Sequence, residues 1–165
     1  MGLENRDREI KELIHRKKQN PGIVKELHIH HPFLVHVNLS ENGIQSLPPS
    51  FFNLIFLRHL NLSYNKLESL PTEFEKLKDL NYLDLCSNCI SGIKISQGFF
   101  NLSSLRHLHL SDNNLESIPH NICNLVALRV LGLRNTGLKI LNYNIFRVMP
   151  RLREIHLQGN YLTHL

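Results

Sequence analysis

A chain of 165 residues is the size of a single domain. Its formal net charge of +5, with histidine neutral, allows acidic proteins, nucleic acid or an anionic membrane as partners and selects none of them. Three cysteines are too few, and odd in number, for a disulfide scaffold, and no apolar run is long enough to cross a membrane.

The chain opens on MGLENRDREI, too charged to read as a signal peptide, and Arg6 stands where an N-myristoylation pattern wants Ser or Thr. Residues ENRDREIKELIHRKKQN predict an amphipathic helix with Ile10, Leu13 and Ile14 on one face, stopped by Pro21-Gly22. KELHIHH predicts a short irregular strand with Leu27 and Ile29 inward. Residues 1–33 are thus expected to form an N-terminal helical cap whose charges make a solvated face. The Arg16-Lys17-Lys18 run is too short for a nucleic-acid patch, the remaining positive surplus is spread along the chain, and no nucleic-acid-binding motif appears.

From Leu34 onward one template recurs, L-x-x-L-x-L-x-x-N-x-L. Its copies start at Leu34 (LVHVNLSENGI), Leu57 (LRHLNLSYNKL), Leu80 (LNYLDLCSNCI), Leu105 (LRHLHLSDNNL), Leu128 (LRVLGLRNTGL) and Leu152 (LREIHLQGNYL), at spacings of 23, 23, 25, 23 and 24 residues. Within each copy x-L-x alternates with period two, the pattern of a half-buried strand. The Asn turns the chain and offers its amide to backbone groups left unpaired. Between copies, LPPSFFNL, LPTEFEKL and IPHNICNL place a proline turn and then apolar residues facing back inward. One such unit cannot bury its own apolar edge, so units stack and share a core. The expectation is an α/β leucine-rich-repeat solenoid over residues 34–165, with six repeats of about 23 residues and a concave parallel β-sheet.

Two copies depart from the template. The copy from Leu80 carries two extra residues, CISGIKISQGFF, expected as a wider convex bulge before Phe99-Phe100. The copy from Leu128 has Thr136 in place of Asn, and LKILNYNIF lacks the Leu-Pro step, which is expected to loosen that turn. Cys86-x-x-Cys89 is half of a zinc pattern with no second pair, and reads as two reduced thiols. The sequons at Asn38, Asn61 and Asn101 are by-products of a repeat that keeps writing N-L-S. The end at Leu165 falls inside a repeat with no C-terminal cap, expected for a truncated chain, an unusual isoform, or an end covered by a partner or second copy.

Three template gaps per strand face the concave side. The third column is His36, His59, Tyr82, His107, Val130, Glu154; the fifth is Asn38, Asn61, Asp84, His109, Gly132, His156; the seventh is Ser40, Ser63, Cys86, Ser111, Arg134, Gln158. With strands about 4.8 Å apart, Asp84 should lie beside Asn61 and His109, and Arg134 between Ser111 and Gln158. This surface could be a solvated sheet face, a protein-binding face, or a histidine metal site; the histidines lack the fixed ligand set of zinc or copper. No catalytic constellation, phosphate loop or paired acid set appears, so catalysis, cofactors and a small-molecule substrate are not expected. Asp84 and Arg134, mid-sheet and opposite in sign, are the expected charged contacts for a protein partner. Tyr82, His59, His107 and His109 supply flat area around them, with Asn61, Ser111, His156 and Gln158 completing the face. His109, beside Asp84, is expected to gain charge in mildly acidic conditions.

The expanded repeat after LDLCSNCIS, followed by GFFNLSSLRHLHLSDNNLESIP, LRVLGLR and LREIHLQGNYLTHL, resembles the Ras suppressor family of cytosolic leucine-rich-repeat adaptors. The resemblance is best over residues 80–165 and extends from about 34. It implies a non-enzymatic adaptor that binds a LIM domain of PINCH, joins the integrin-linked kinase assembly at cell–matrix adhesions and damps Ras signalling. It also implies partner contacts from an Asp in an L-D-L strand and an Arg in an L-x-L-R strand, which match Asp84 and Arg134. Another Ras-pathway scaffold that regulates a phosphatase, and a substrate-recognition domain of a larger enzyme or effector, stay open.

Overall fold

Each L-x-x-L-x-L segment lays down one three-residue strand, in a computed structural model that describes residues 22–142 and 144–163. The strands are β1 (His36–Asn38), β2 (His59–Asn61), β3 (Tyr82–Asp84), β4 (His107–His109), β5 (Val130–Gly132) and β6 (Glu154–His156). They form one parallel sheet in chain order, and its register pairs position with position: His36 with His59, His59 with Tyr82, Tyr82 with His107, His107 with Val130 and Val130 with Glu154. A parallel pair needs a crossover of a dozen or more residues, and the repeat supplies it as the convex return. The six-repeat solenoid with a concave sheet is therefore the observed fold.

The middle residue of each strand points inward. Val37, Leu60, Leu83, Leu108 and Leu131 are buried, and Ile155 of β6 is partly buried against the same core. On the convex side, 3₁₀ turns span Pro49–Asn53, Thr72–Lys76, Gln97–Asn101 and His120–Asn124. The first three send in a run of phenylalanines. Phe51, Phe52, Phe74, Phe99 and Phe100 are almost wholly buried, and successive rings meet edge to face at 5.0–5.7 Å. That geometry adds to plain area burial, and it explains why a chain with no Trp still fills its core.

A second spine runs through the asparagines. Asn88 Nδ2 donates to the carbonyls of Leu85 in its own repeat and Leu62 in the one before, both at 3.0 Å, while its Oδ1 accepts the Leu67 N–H. Asn65 and Asn113 repeat the arrangement. Each amide thus ties two neighbouring repeats. At the fifth repeat buried Thr136 stands in this spine and donates through Oγ1 to its own Leu133 carbonyl; Asn160 resumes the pattern by bridging Leu133 and Leu157.

Three expectations need correction. The predicted KELHIHH strand is part of an α-helix, α1 (Gly22–His30). Leu27 is buried, as expected, but it packs with Val24 at helical spacing, and Ile29 points outward, 63% exposed. Leu27 and Ile29 mimic period two; Val24 and Leu27 set the true period, because that face seats on the first 3₁₀ turn. The predicted amphipathic helix with Ile10, Leu13 and Ile14 lies outside the described residues.

The two extra residues of the expanded repeat do not widen its convex turn, since Gln97–Asn101 is as long as the turns on either side. They are taken up earlier, in a 3₁₀ turn at Gly92–Lys94 that pairs Ile95 with Leu70 behind and Ser91 with Asn114 ahead. Finally, the turn lacking Leu-Pro forms a one-turn α-helix, α2 (Asn144–Arg147), that seats Ile145 in the core. Without proline the backbone N–H groups remain available for helical bonding.

Candidate functional site

The concave face is built by the outward residues of the six strands and by the turn that follows each. The third-position column forms a stack. The His36 and His59 rings lie 4.6 Å apart and nearly parallel, and His59 and Tyr82 stack at 5.5 Å. Tyr82 then meets both His107 at 6.0 Å and His109 at 5.5 Å. His59, Tyr82, His107 and His109 are therefore brought together as one aromatic strip, and His36 extends it. His36 was not among the expected contacts, although it occupies the same template position as His59 and could have been found from that alone.

The fifth position has a local task. Asn38 Oδ1 accepts the Ser40 N–H at 3.0 Å, and Asn61 Oδ1 accepts both the N–H and the hydroxyl of Ser63 at 2.9 and 2.7 Å. Asp84 Oδ1 accepts the Cys86 N–H at 2.9 Å. These bonds, two residues ahead, turn the chain out of the strand. Asp84 does the work of Asn38 and Asn61 and adds a negative charge. Register places it between Asn61 and His109, as the columns require.

Cys86 completes this centre, and its role was not legible from the template. Burial, then a thiol hydrogen bond to Asp84 and the charge of Asp84, push the Cys86 thiol up to about 12, against a smaller opposing effect of Ser111. A thiol held protonated in this way is a poor nucleophile. Tyr82 also shifts upward, through burial first and then Asp84 and Cys86.

His109 feels the push toward its charged form that its place beside Asp84 predicts, but the net direction is the opposite. Burial is the larger effect, and His107 and His156 add repulsion, so the net shift is downward. The burial comes from rung geometry: a Cβ at Gly132 would sit 3.1 Å from His109 Nδ1, so the absent side chain lets the imidazole lie over β5. His59 shifts down as well, from burial and then His36 and His107. Both rings stay neutral further into the acidic range than an ordinary histidine.

Arg134 lies between Ser111 and Gln158. Its backbone N–H donates to Ser111 Oγ at 3.1 Å, and its Nε donates to Gln158 Oε1 at 2.9 Å. Arg134 and Gln158 are exposed, so the guanidinium is held in place while its remaining donors face outward. On the last rung His156 Nε2 lies 3.8 Å from Glu154. Among the described residues, no three His, Cys, Asp or Glu side chains are placed to hold a metal ion. Among them, too, no helix is long and apolar enough to cross a membrane.

The leucine rich repeat family profile matches residues 32–90 and 93–138, and the chain belongs to that family. No curated protein matches it. Among solved structures it is similar to a leucine-rich-repeat protein of Leptospira interrogans, with 33% identity and a TM-score of 0.70 over 74% of this chain and 30% of that one. It is also similar to the ectodomain of the plant membrane receptor kinase GASSHO1/SCHENGEN3 from Arabidopsis thaliana, solved in complex with CASPARIAN STRIP INTEGRITY FACTOR 2. There the identity is 34% and the TM-score 0.65, over 77% of this chain and 16% of that one. An internalin of Listeria monocytogenes shares the fold over 96% of this chain and 45% of its own, with 21% identity and a TM-score of 0.72. The chain spans less than half the length of each. Fold, repeat and open concave sheet define a leucine-rich-repeat interaction domain.

Proposed function

We propose that the chain is a non-enzymatic adaptor that binds a protein partner on its concave face. One observation carries this reading. A continuous aromatic strip, His59 to His109, runs beside two charges of opposite sign, Asp84 and Arg134, two strands apart and both already oriented by neighbours. Ordered charges flanking flat aromatic area suit a protein surface, since little side-chain freedom is lost on binding. Ser111 and Gln158 hold Arg134; Asn61, His107 and His156 extend the face.

The likeness of residues 80–165 to the Ras suppressor family supports a specific partner, a LIM domain of the PINCH type, and with it a cytoplasmic place at cell–matrix adhesions and a damping effect on Ras signalling. Affinity purification from cells followed by mass spectrometry tests this. Recovery of PINCH and integrin-linked kinase with the wild type, and their loss with the folded Asp84→Ala and Arg134→Ala variants, is the expected result. If both variants retain every partner, the concave reading fails; if neither protein is recovered with the wild type, the family reading fails.

A second reading has support of its own. The chain spans 16–45% of the three structures named above, and one of them was solved with a bound factor. The domain would then be the recognition segment of a longer protein. Coding sequence continuing in frame beyond Leu165 in the transcript would favour it.

A further inference from the structure

We propose that the edge of the solenoid where the strands begin is a docking surface for an anionic lipid membrane. The positive charges look scattered in sequence, but the repeat period gathers them. Arg58, Arg106, Arg129 and Arg153 all occupy the second template position and all are exposed. Their backbones are stacked by hydrogen bonds: the Arg129 N–H donates to the Arg106 carbonyl and the Arg153 N–H to the Arg129 carbonyl, both at 2.8 Å, while Asn81 links Arg106 to Arg58. Exposed Lys78 and Arg151 lie in the loops that feed the same edge, where Asp79 is the interspersed acid. None of these cations forms an ion pair or side-chain hydrogen bond with another described residue. Stacking like charges one rung apart costs stability and contributes nothing to the fold, so their partner lies outside it.

The line crosses four rung spacings, about 19 Å at about 4.8 Å each, enough to meet several headgroups at once. Apolar residues decide between a membrane and other polyanions. Ile55, Phe56 and Val126 sit in the same loops, 43–51% exposed, and Phe33, 76% exposed, lies against Phe56 with ring centroids 5.6 Å apart. Aromatic and aliphatic side chains beside arginines match the boundary between headgroups and acyl chains. A single strand would stack its bases on free aromatic faces, whereas Phe33 and Phe56, the exposed rings beside these arginines, lie against each other; a duplex backbone offers the exposed Ile55 and Val126 no apolar surface. The opposite edge carries Glu41, Glu68, Asp112 and Glu116 among its lysines, so the polarity is one-sided. Docking by the edge leaves the concave face open, and the two readings stand or fall separately.

The test is sedimentation of the full chain with vesicles of phosphatidylcholine alone or with about a third phosphatidylserine. Binding to the anionic vesicles only, weakening steeply with salt, is expected. Each exposed cation near the surface should contribute about fivefold, so the Arg129→Glu/Arg153→Glu variant should bind at least about twentyfold more weakly with a melting temperature no lower than that of the wild type. Phe56→Ala should weaken binding at fixed charge. Both variants retain Arg16-Lys17-Lys18, so unchanged binding would place the contact on another surface and overturn the proposal. So would equal binding to neutral vesicles, no binding to either kind, or capture of polyglutamate through Arg129 and Arg153 without vesicle binding, which marks an acidic-protein site.

Discussion

Arg134 Nε donates to Gln158 Oε1 at 2.9 Å across two adjacent rungs. The bond fixes one of the two charges on the concave face, so Gln158 acts on a partner through Arg134. Arg134→Ala should weaken binding of a PINCH LIM domain by about tenfold or more. Gln158→Ala should cost several-fold, and the double variant little more than Arg134→Ala alone. Calorimetric titration of the three variants checks this; additive losses would separate the two residues.

Cys86 should be the slowest of the three thiols. Burial and the Asp84 carboxylate push it up to about 12, so almost no thiolate exists at pH 8. Cys89 is exposed and should react first with a disulfide reagent. Asp84→Asn, which removes the negative charge but not the burial, should speed Cys86 without bringing it to the rate of Cys89. Fast labelling of Cys86 in the folded wild type would contradict this arrangement.

Stability should fall as pH drops from neutrality. His59 and His109 titrate below the ordinary histidine value of about 6.5 when folded. Between the folded and unfolded values the unfolded chain holds more protons, so stability rises with pH there. Their contribution is complete above about 6.5 and is lost as pH falls through the folded values. Urea midpoints at pH 7.5 and 5.5 measure it, and His109→Gln should flatten the difference. Because Asp84 opposes the shift, Asp84→Asn should move the His109 titration, followed by NMR, lower still.

The asparagine spine offers a gain of function in stability. Thr136 is fully buried and holds its own Leu133 carbonyl. Thr136→Asn, nearly equal in volume, would also reach the Leu110 carbonyl of the repeat before, as Asn113 reaches Leu85. It should add about 1 kcal/mol. Asn113→Ala should cost about 1–3 kcal/mol by leaving the Leu110 carbonyl and the Ile90 N–H without their amide partner. Chemical denaturation gives both values, and a Thr136→Asn protein no more stable than wild type would show that the spine does not continue there.

The expanded repeat should tolerate no side chain at Gly92. A Cβ there would meet the carbonyl oxygens of Leu115 and Ser117 at 2.6 and 2.7 Å. These are backbone atoms of the next repeat, which cannot give way as a side-chain tip could. Gly92→Ala should cost about 1–3 kcal/mol, read as a lower melting temperature.

How much of this was legible differs from residue to residue. The pairing of His59 with Tyr82 and Tyr82 with His107 followed from template position, because parallel strands of one period stack in register. The neighbours of Asp84 and Arg134 followed the same way. The α1 helix did not: Leu27 and Ile29 fit period two and Val24 with Leu27 fits a helix turn, and the short window cannot choose between them. The surface on which Val24 and Leu27 pack chose. Nor was the fate of the extra residues legible, since only contact with Leu70 and Leu115 shows that they wedge between repeats.

By itself the sequence determined the solenoid, the six strands and the order of side chains down the concave face. Those depend on apolar spacing and on the period-two alternation of a strand, both written locally. Only the tertiary structure decided that burial outweighs Asp84 at His109, that burial and Asp84 together hold the Cys86 thiol protonated, and that Phe33 lies against Phe56 beside the arginine edge. Each of these depends on which groups lie within a few ångströms across neighbouring rungs, and solvent access and electrostatic coupling are set by that distance in space.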